Sequence, residues 1–185
     1  KKNQPKESKT HATEIEEKIS IDISSVKQAS SGQKKFWLYE KSGYVWSEFL
    51  KKKSETCEKV IDWISKFEKD TGKRVQRIRL DNSGENVKLA EYVDSHPTLK
   101  IKFEFTAPHT PQQNGKIERK FATLYGKLRS MLNTAKLTES LRKGLWAHCA
   151  ETATKLENII VNHPDDMSPA ERVYGKDPIW IKQMH

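Results

Sequence analysis

Ile19, Ile21 and Ile23 alternate with Ser20, Asp22 and Ser24. A period of two is that of a strand with one buried face, and it predicts a strand over Lys18 to Val26. Two aromatic-rich runs, Lys34 to Tyr39 and Tyr44 to Leu50, flank Glu40-Lys41-Ser42-Gly43 and read as a hairpin. The period then changes. Cys57, Val60, Ile61, Ile64 and Phe67 recur at helical spacing, with Ser54 placed to cap the start and Gly72 just past the end. Val75 to Leu80 reads as a short strand stopping on Asp81-Asn82-Ser83-Gly84. Glu85 to Asp94 reads as a short helix closed before Pro97, and Lys100 to Thr106 alternates again through Ile101, Phe103 and Phe105.

Pro108, Pro111 and Gly115 keep Thr106 to Gly115 out of regular structure. A helix follows, with Ile117, Phe121, Leu124, Leu128 and Met131 on one stripe. Thr138 can cap a second long helix that turns Leu141, Leu145, Cys149, Leu156 and Ile160 inward and stops at Pro164. Ser168 to His185 leaves room for one short helical turn. Three strands, helix, strand, short helix, strand and two long helices predict an α/β fold with a mixed five-stranded sheet flanked by helices.

Composition adds a partner class. Over 185 residues, 34 Lys and Arg against 25 Asp and Glu give a net charge of +9, which points to a polyanion more than to a small neutral substrate. The N-terminal region carries no apolar run of the kind a secretory signal needs, and no stretch approaches the length of a membrane span. Cys57 and Cys149 each fall on the apolar stripe of a predicted helix and are expected to be reduced core residues. None of the six histidines pairs with a cysteine at zinc-ligand spacing, so no zinc site is expected in this segment.

Three acids are candidates for chemistry. Asp22 lies mid-strand, where aspartate is disfavoured, and an exposed edge would be the ordinary reason for it. Asp81 ends the fourth strand, where an acid is often only a turn former. Glu118 is in the first turn of its helix, a common place for an acid because of the macrodipole. Should the first and fourth strands be neighbours, the two aspartates meet and the helix can bring Glu118 onto them. Three packed carboxylates repel unless a cation neutralises them. Oxygen-only ligands favour Mg²⁺ or Mn²⁺, and two such ions about 4 Å apart serve phosphodiester transfer.

The sequence around these acids resembles a known family. Ile19-Ser20-Ile21-Asp22-Ile23-Ser24, Ile78-Arg79-Leu80-Asp81-Asn82-Ser83-Gly84-Glu85-Asn86 and Pro108-His109-Thr110-Pro111-Gln112-Gln113-Asn114-Gly115-Lys116-Ile117-Glu118-Arg119 are similar to the catalytic core of copia-type long-terminal-repeat retrotransposon integrases, within the DDE transposase and retroviral integrase superfamily. The second and third acids are 37 positions apart, close to the family's gap. Met167 to Pro178 resembles the segment after the family's last core helix. The likeness runs from about Glu14 to about Trp180. It implies an RNase H-like fold, 3′-end processing and strand transfer into target DNA, and a two-metal site of Mg²⁺ or Mn²⁺ on Asp22, Asp81 and Glu118. It also implies double-stranded DNA as partner, a homo-oligomer when active, no membrane, and work in the nucleus after a cytoplasmic particle. Gln113, Asn114, Lys116, Arg119 and Lys120 would then contact the nucleic-acid backbone.

The sequence also departs from that pattern. The family's upstream His/Cys zinc module and downstream DNA-binding region do not appear, so a core fragment or reduced copy is expected. The run from Lys34 to Trp46 is shorter than in relatives by roughly four residues, or about 13 Å of strand pairing. A local loss there is expected to loosen the metal site without abolishing the fold, which bears on activity. Residues 1–13 read as a disordered basic lead-in, 14–165 as the catalytic core, and 166–185 as a C-terminal extension. Two further readings stay open: a decayed or domesticated copy that only binds nucleic acid, and a ribonuclease H.

Overall fold

The computed structural model describes residues 18–30, 33–96, 98–106, 115–161 and 166–175. The elements are β1 (Lys18–Ser30), β2 (Gln33–Lys41), β3 (Tyr44–Leu50), α1 (Thr56–Thr71), β4 (Arg77–Leu80), α2 (Gly84–Asp94), β5 (Lys102–Phe105), α3 (Gly115–Thr134), α4 (Glu139–Gly144), α5 (Trp146–Ile159) and α6 (Pro169–Tyr174). The five strands form one mixed sheet in the order β3-β2-β1-β4-β5. β1, β2 and β3 are antiparallel neighbours, whereas β1, β4 and β5 run parallel. The α/β fold with a five-stranded mixed sheet is the one the periodicity predicts.

Alternation along the strands sorts the core into two layers. Ile19, Ile21, Tyr39, Ile78 and Leu80 pack with Val60, Trp63, Ile64 and Phe67 of α1 and Leu89 and Val93 of α2. Phe36 and Leu38 point the other way, against Ile117, Phe121, Leu124 and Leu128 of α3 and the alanines of α5. Phe36 anchors this second layer, stacked on Phe49 at 5.2 Å and edge-on to Phe121 at 5.4 Å. The β2–β3 hairpin turns through Ser42 (φ 53°) and Gly43 (φ 90°), and two left-handed residues in a row match the twist of the strands they join.

Several expectations are corrected. Ser54 does not cap α1; it lies in a 3₁₀ turn over Lys53–Glu55, and the Glu55 carboxylate accepts the Lys51 N–H at 3.0 Å. β4 and β5 are shorter than the alternation suggests; before β4 the Val75 N–H turns to the Glu68 carboxylate (3.0 Å) instead of pairing. The long helix after Thr138 is two helices, broken at Gly144–Leu145. Its leucines are misassigned too: Leu141, Leu156 and Ile160 are exposed, and Trp146, Ala147, Ala150 and Ala153 face inward. Small residues let α5 approach α3 closely, so the buried face is not the most hydrophobic one. α5 also lacks a local side-chain cap. The Ser30 hydroxyl, from the end of β1, donates to the Gly144 carbonyl and accepts the Ala147 N–H at 3.4 Å.

β1 is central, so an exposed edge does not explain Asp22. The second strand pairs with β1 beside Asp22. Pairing with β2 is continuous from Ser20 to Ser25, with Asp22 opposite Leu38. The irregularity comes later, where β1 advances five residues from Ser25 to Ser30 while β2 advances two, from Lys35 to Gln33. The register shift thus lies beyond Asp22. The two cysteines are free thiols, as expected, one against each core layer. Residues 169–174, placed after the core by sequence, bury Ala170 and Val173 in the first layer.

The helix phase can be tested by chemical denaturation. Ala150→Leu overpacks the α3–α5 contact and is expected to cost about 1–3 kcal/mol. Leu156→Gln, on the outer face, should cost under about 1 kcal/mol; the reverse order would restore the leucine-inward helix.

Candidate active site

The parallel ladder pairs Ile19 with Ile78 and Ser20 with Arg79. Carried two residues further in the same register, it sets Asp22 beside Asp81 where β4 gives way to its loop. With the isoleucines of β1 in the α1–α2 layer, Ser20, Asp22 and Ser24 face the α3 side. The Tyr125 hydroxyl donates to Ser24 Oγ at 2.8 Å. Tyr125 is seven residues, or two turns, beyond Glu118 and so on the same flank of α3. That bond fixes α3 with the Glu118 flank toward the Asp22 strand.

Electrostatics report the convergence. Burial, first, pushes the Asp22 carboxyl up to about 6; the Ile23 N–H, bonded at 2.8 Å, opposes the rise, and the charges of Asp81 and Glu118 add to it. Asp22 is half-buried and Glu118 is exposed. Asp81 is held by two groups in its own loop. The Ser83 N–H donates to Oδ1 at 3.3 Å, and the Asn86 side-chain amide donates both to that oxygen and to the Asp81 carbonyl, the latter at 3.2 Å. Asn86 is buried in the first turns of α2 and orients Asp81. No periodicity marks such a residue; it falls in the stretch from Ile78 to Asn86 that carries the family resemblance, which assigns it no role.

All-oxygen donors suit a hard divalent cation. Among the described residues, however, no three His, Cys, Asp or Glu side chains are grouped at metal-holding spacing. The donor chemistry fits, and the spacing is wider than a closed cage. On the same sheet face Lys18, Arg79 and Arg77 gather round Glu104 at 2.8, 3.0 and 3.6 Å. These rows succeed one another at about 7 Å, two residues of strand, and carry positive charge up to the Asp22–Asp81 pair.

The remaining candidates divide. Lys116 and Arg119 are exposed, but on a flank of α3 turned away from Glu118. The Lys120 ammonium bonds the buried Glu157 carboxylate at 2.7 Å, joined by Lys127 at 2.5 Å. Burial alone would raise the Glu157 carboxyl; the two ammonium groups offset this and hold it below its ordinary range. Lys120 is thereby part of the α3–α5 contact. Gln113 and Asn114 lie outside the described residues.

No protein-family model matches the chain. Its fold is that of the catalytic core domain of BIV integrase, with a TM-score of 0.55 and 14% identity over 84% of this chain and 92% of that one. A chain of the simian T-cell lymphotropic virus intasome, solved in complex with PP2A regulatory subunit B56 gamma, gives a TM-score of 0.64 and 17% identity over 88% of this chain and 55% of that one. In sequence, 151 residues (80% of the chain) are 34% identical to the Retrovirus-related Pol polyprotein from transposon TNT 1-94 of Nicotiana tabacum. The chain belongs to the copia-type integrase cores. The integrase core is also 30% identical over 140 residues, 75% of its length, to the corresponding polyprotein from transposon RE1 of Arabidopsis thaliana. It spans about a tenth of these polyproteins, 11% and 9% of their lengths.

A raised carboxylate has a stability signature. The folded state holds the Asp22 proton more tightly than the unfolded chain, so stability is full below about pH 4 and is lost as pH rises through about 6. Asp22→Asn is expected to remove that loss and stabilise the cation-free protein by about 1–3 kcal/mol at pH 7. Urea melts at pH 4 and pH 7 measure it; an Asp22→Asn variant less stable than the parent at pH 7 would place Asp22 away from its two acidic neighbours.

Proposed function

We propose that the chain catalyses metal-dependent 3′-end processing and strand transfer of retrotransposon DNA, with Asp22, Asp81 and Glu118 as the ligands of Mg²⁺ or Mn²⁺. The observation that supports this reading is the parallel β1–β4 register, which carries Asp22 beside Asp81, on the sheet face that α3 covers. A bound cation pair would supply Lewis-acid stabilisation of the attacking and leaving oxygens. The protein's share is positional. Pairing with Leu38 of β2 holds Asp22, Asn86 aims Asp81, and the Tyr125–Ser24 bond turns the Glu118 flank of α3 toward the strand. The cations around Glu104 draw a phosphodiester backbone toward the acids. DNA ends and target DNA are the partners this reading requires, and a multimer is needed to bridge two ends.

One observation favours a second reading, a copy that binds nucleic acid without turnover. The three acids are not grouped at metal-holding spacing among the described residues, and Glu118 is solvent-exposed. A single assay separates the two. With a terminal-repeat oligonucleotide and Mn²⁺, the chain is expected to nick or join DNA, and Asp81→Asn to reduce that to background. Full activity of Asp81→Asn would remove Asp81 from its role; salt-sensitive binding with no turnover in the parent would leave the second reading.

A further inference from the structure

Three rows of side chains cross the sheet face that carries Asp22. β1, β4 and β5 are parallel and in register. Lys18 lies beside Arg77 and Arg77 beside Lys102; Ser20 lies beside Arg79 and Arg79 beside Glu104. In the same register Asp22 and Asp81 form the next row. The order along the strands is therefore cations, then a mixed row, then acids, at about 7 Å per row. Arg79 stands between the two kinds of charge. Glu104 is its neighbour across the ladder and Asp81 is two residues ahead on its own strand, both within reach of a long side chain.

The arginine is turned to Glu104. Its guanidinium bonds Glu104 Oε2 at 3.0 Å, the Lys18 ammonium bonds the same oxygen at 2.8 Å, and Arg77 approaches Oε1 at 3.6 Å. The side chains of Lys18, Arg79 and Glu104 are 16, 17 and 22% exposed, so solvent ions screen them weakly. Burial alone would raise the Glu104 carboxyl; Lys18 and Arg79 outweigh it and hold the group below its ordinary range. Burial lowers the Lys18 ammonium, Glu104 opposes this, and the charges of Arg79 and Arg77 add to the fall. One carboxylate thus restrains three cations that repel one another. The acids one row on are left to themselves. Among the described residues neither Asp22 nor Asp81 has a lysine or arginine within ion-pair distance. The Asp22 carboxyl answers to burial, the Ile23 N–H and the charges of Asp81 and Glu118.

We propose that Glu104 is a positioning residue: it holds Arg79 away from Asp22 and Asp81, so that the pair stays open to a divalent cation. The inference rests on the integrase reading and deepens it. An arginine beside an aspartate favours the carboxylate by about one to three pKa units, an interaction that a metal ion would have to displace. Without Glu104, the next row offers Arg79 the Asp81 carboxylate in exchange. A carboxylate that merely tied β5 to β4 and β1 behaves differently, because loss of Arg79 on top of Glu104 would then add to the damage.

Mn²⁺ titration of the 185-residue chain, read by electron paramagnetic resonance of the free ion, tests it. Glu104→Gln is expected to weaken Mn²⁺ binding at least about tenfold, the equivalent of one pKa unit. Glu104→Gln/Arg79→Gln should restore the parent affinity, which removal of a structural tie would not do. Arg79→Gln alone should stay near the parent value, because the guanidinium is already withheld. Unchanged affinity in Glu104→Gln, or a double variant as weak as Glu104→Gln, overturns the proposal. So does a gain of about tenfold in Arg79→Gln, which would put Arg79 on the acids in the parent; this arm stands even if Glu104→Gln fails to fold. Urea melts without metal separate the restraint from the reaction. Asp81→Asn should lower the midpoint more in Glu104→Gln than in the parent, since only there does it remove a partner of Arg79. An equal effect in both overturns the proposal. A parent that binds no Mn²⁺ removes the integrase reading, and a difference between the two melts then still upholds the restraint on Arg79.

Discussion

Burial of a carboxyl on the central strand, with two further acids adding their charge, is the constraint to which the rest of the molecule answers. Asp22 is half-buried with two negative neighbours, an arrangement that costs stability whenever it is ionised. Only a framework that resists relaxation can hold it. β1 supplies that, paired on one side with β2 through Asp22 itself and on the other with β4 just before Asp81. A fold that holds a buried carboxyl beside two further acids is prepared for a cation.

The helices serve this placement in different ways. α3 is anchored by its apolar stripe to Phe36 and Leu38, and its rotation is set by the Tyr125 hydroxyl on Ser24. α5 holds α3 from behind through Glu157 and its two lysines. α5 is in turn tied to β3 by Asn158, whose side chain bonds both the N–H and the carbonyl of Val45 at 2.8 and 2.7 Å. The buried polar residues of α5 thus transmit sheet position to the helix that carries Glu118.

Legibility in the sequence followed periodicity. The isoleucine alternation of β1 and the α3 stripe through Leu128 are strong single-period signals, and both elements form where those signals lie. Met131 illustrates the limit: it is half-buried, and the helix continues the stripe through Leu132. The break at Gly144 was hidden because Leu141 and Leu145 preserve helical spacing across it. The inward face of α5 was hidden because alanine, threonine, glutamate and asparagine can be buried when they fit a close helix contact or find partners. Asp22 and Asp81 could be paired only once β1 and β4 proved adjacent, and long-range strand order is not encoded in local pattern. Ser30 and Tyr125 act through tertiary hydrogen bonds that no spacing announces.

The central claim is that Asp22 and Asp81 share a cation. Anomalous diffraction from crystals of the chain soaked in Mn²⁺ reads this directly. The account predicts a manganese peak bonded to carboxylate oxygens of both aspartates at about 2.1 Å. Manganese bound elsewhere at saturating concentration, with the Asp22–Asp81 pair left without it, would contradict the account.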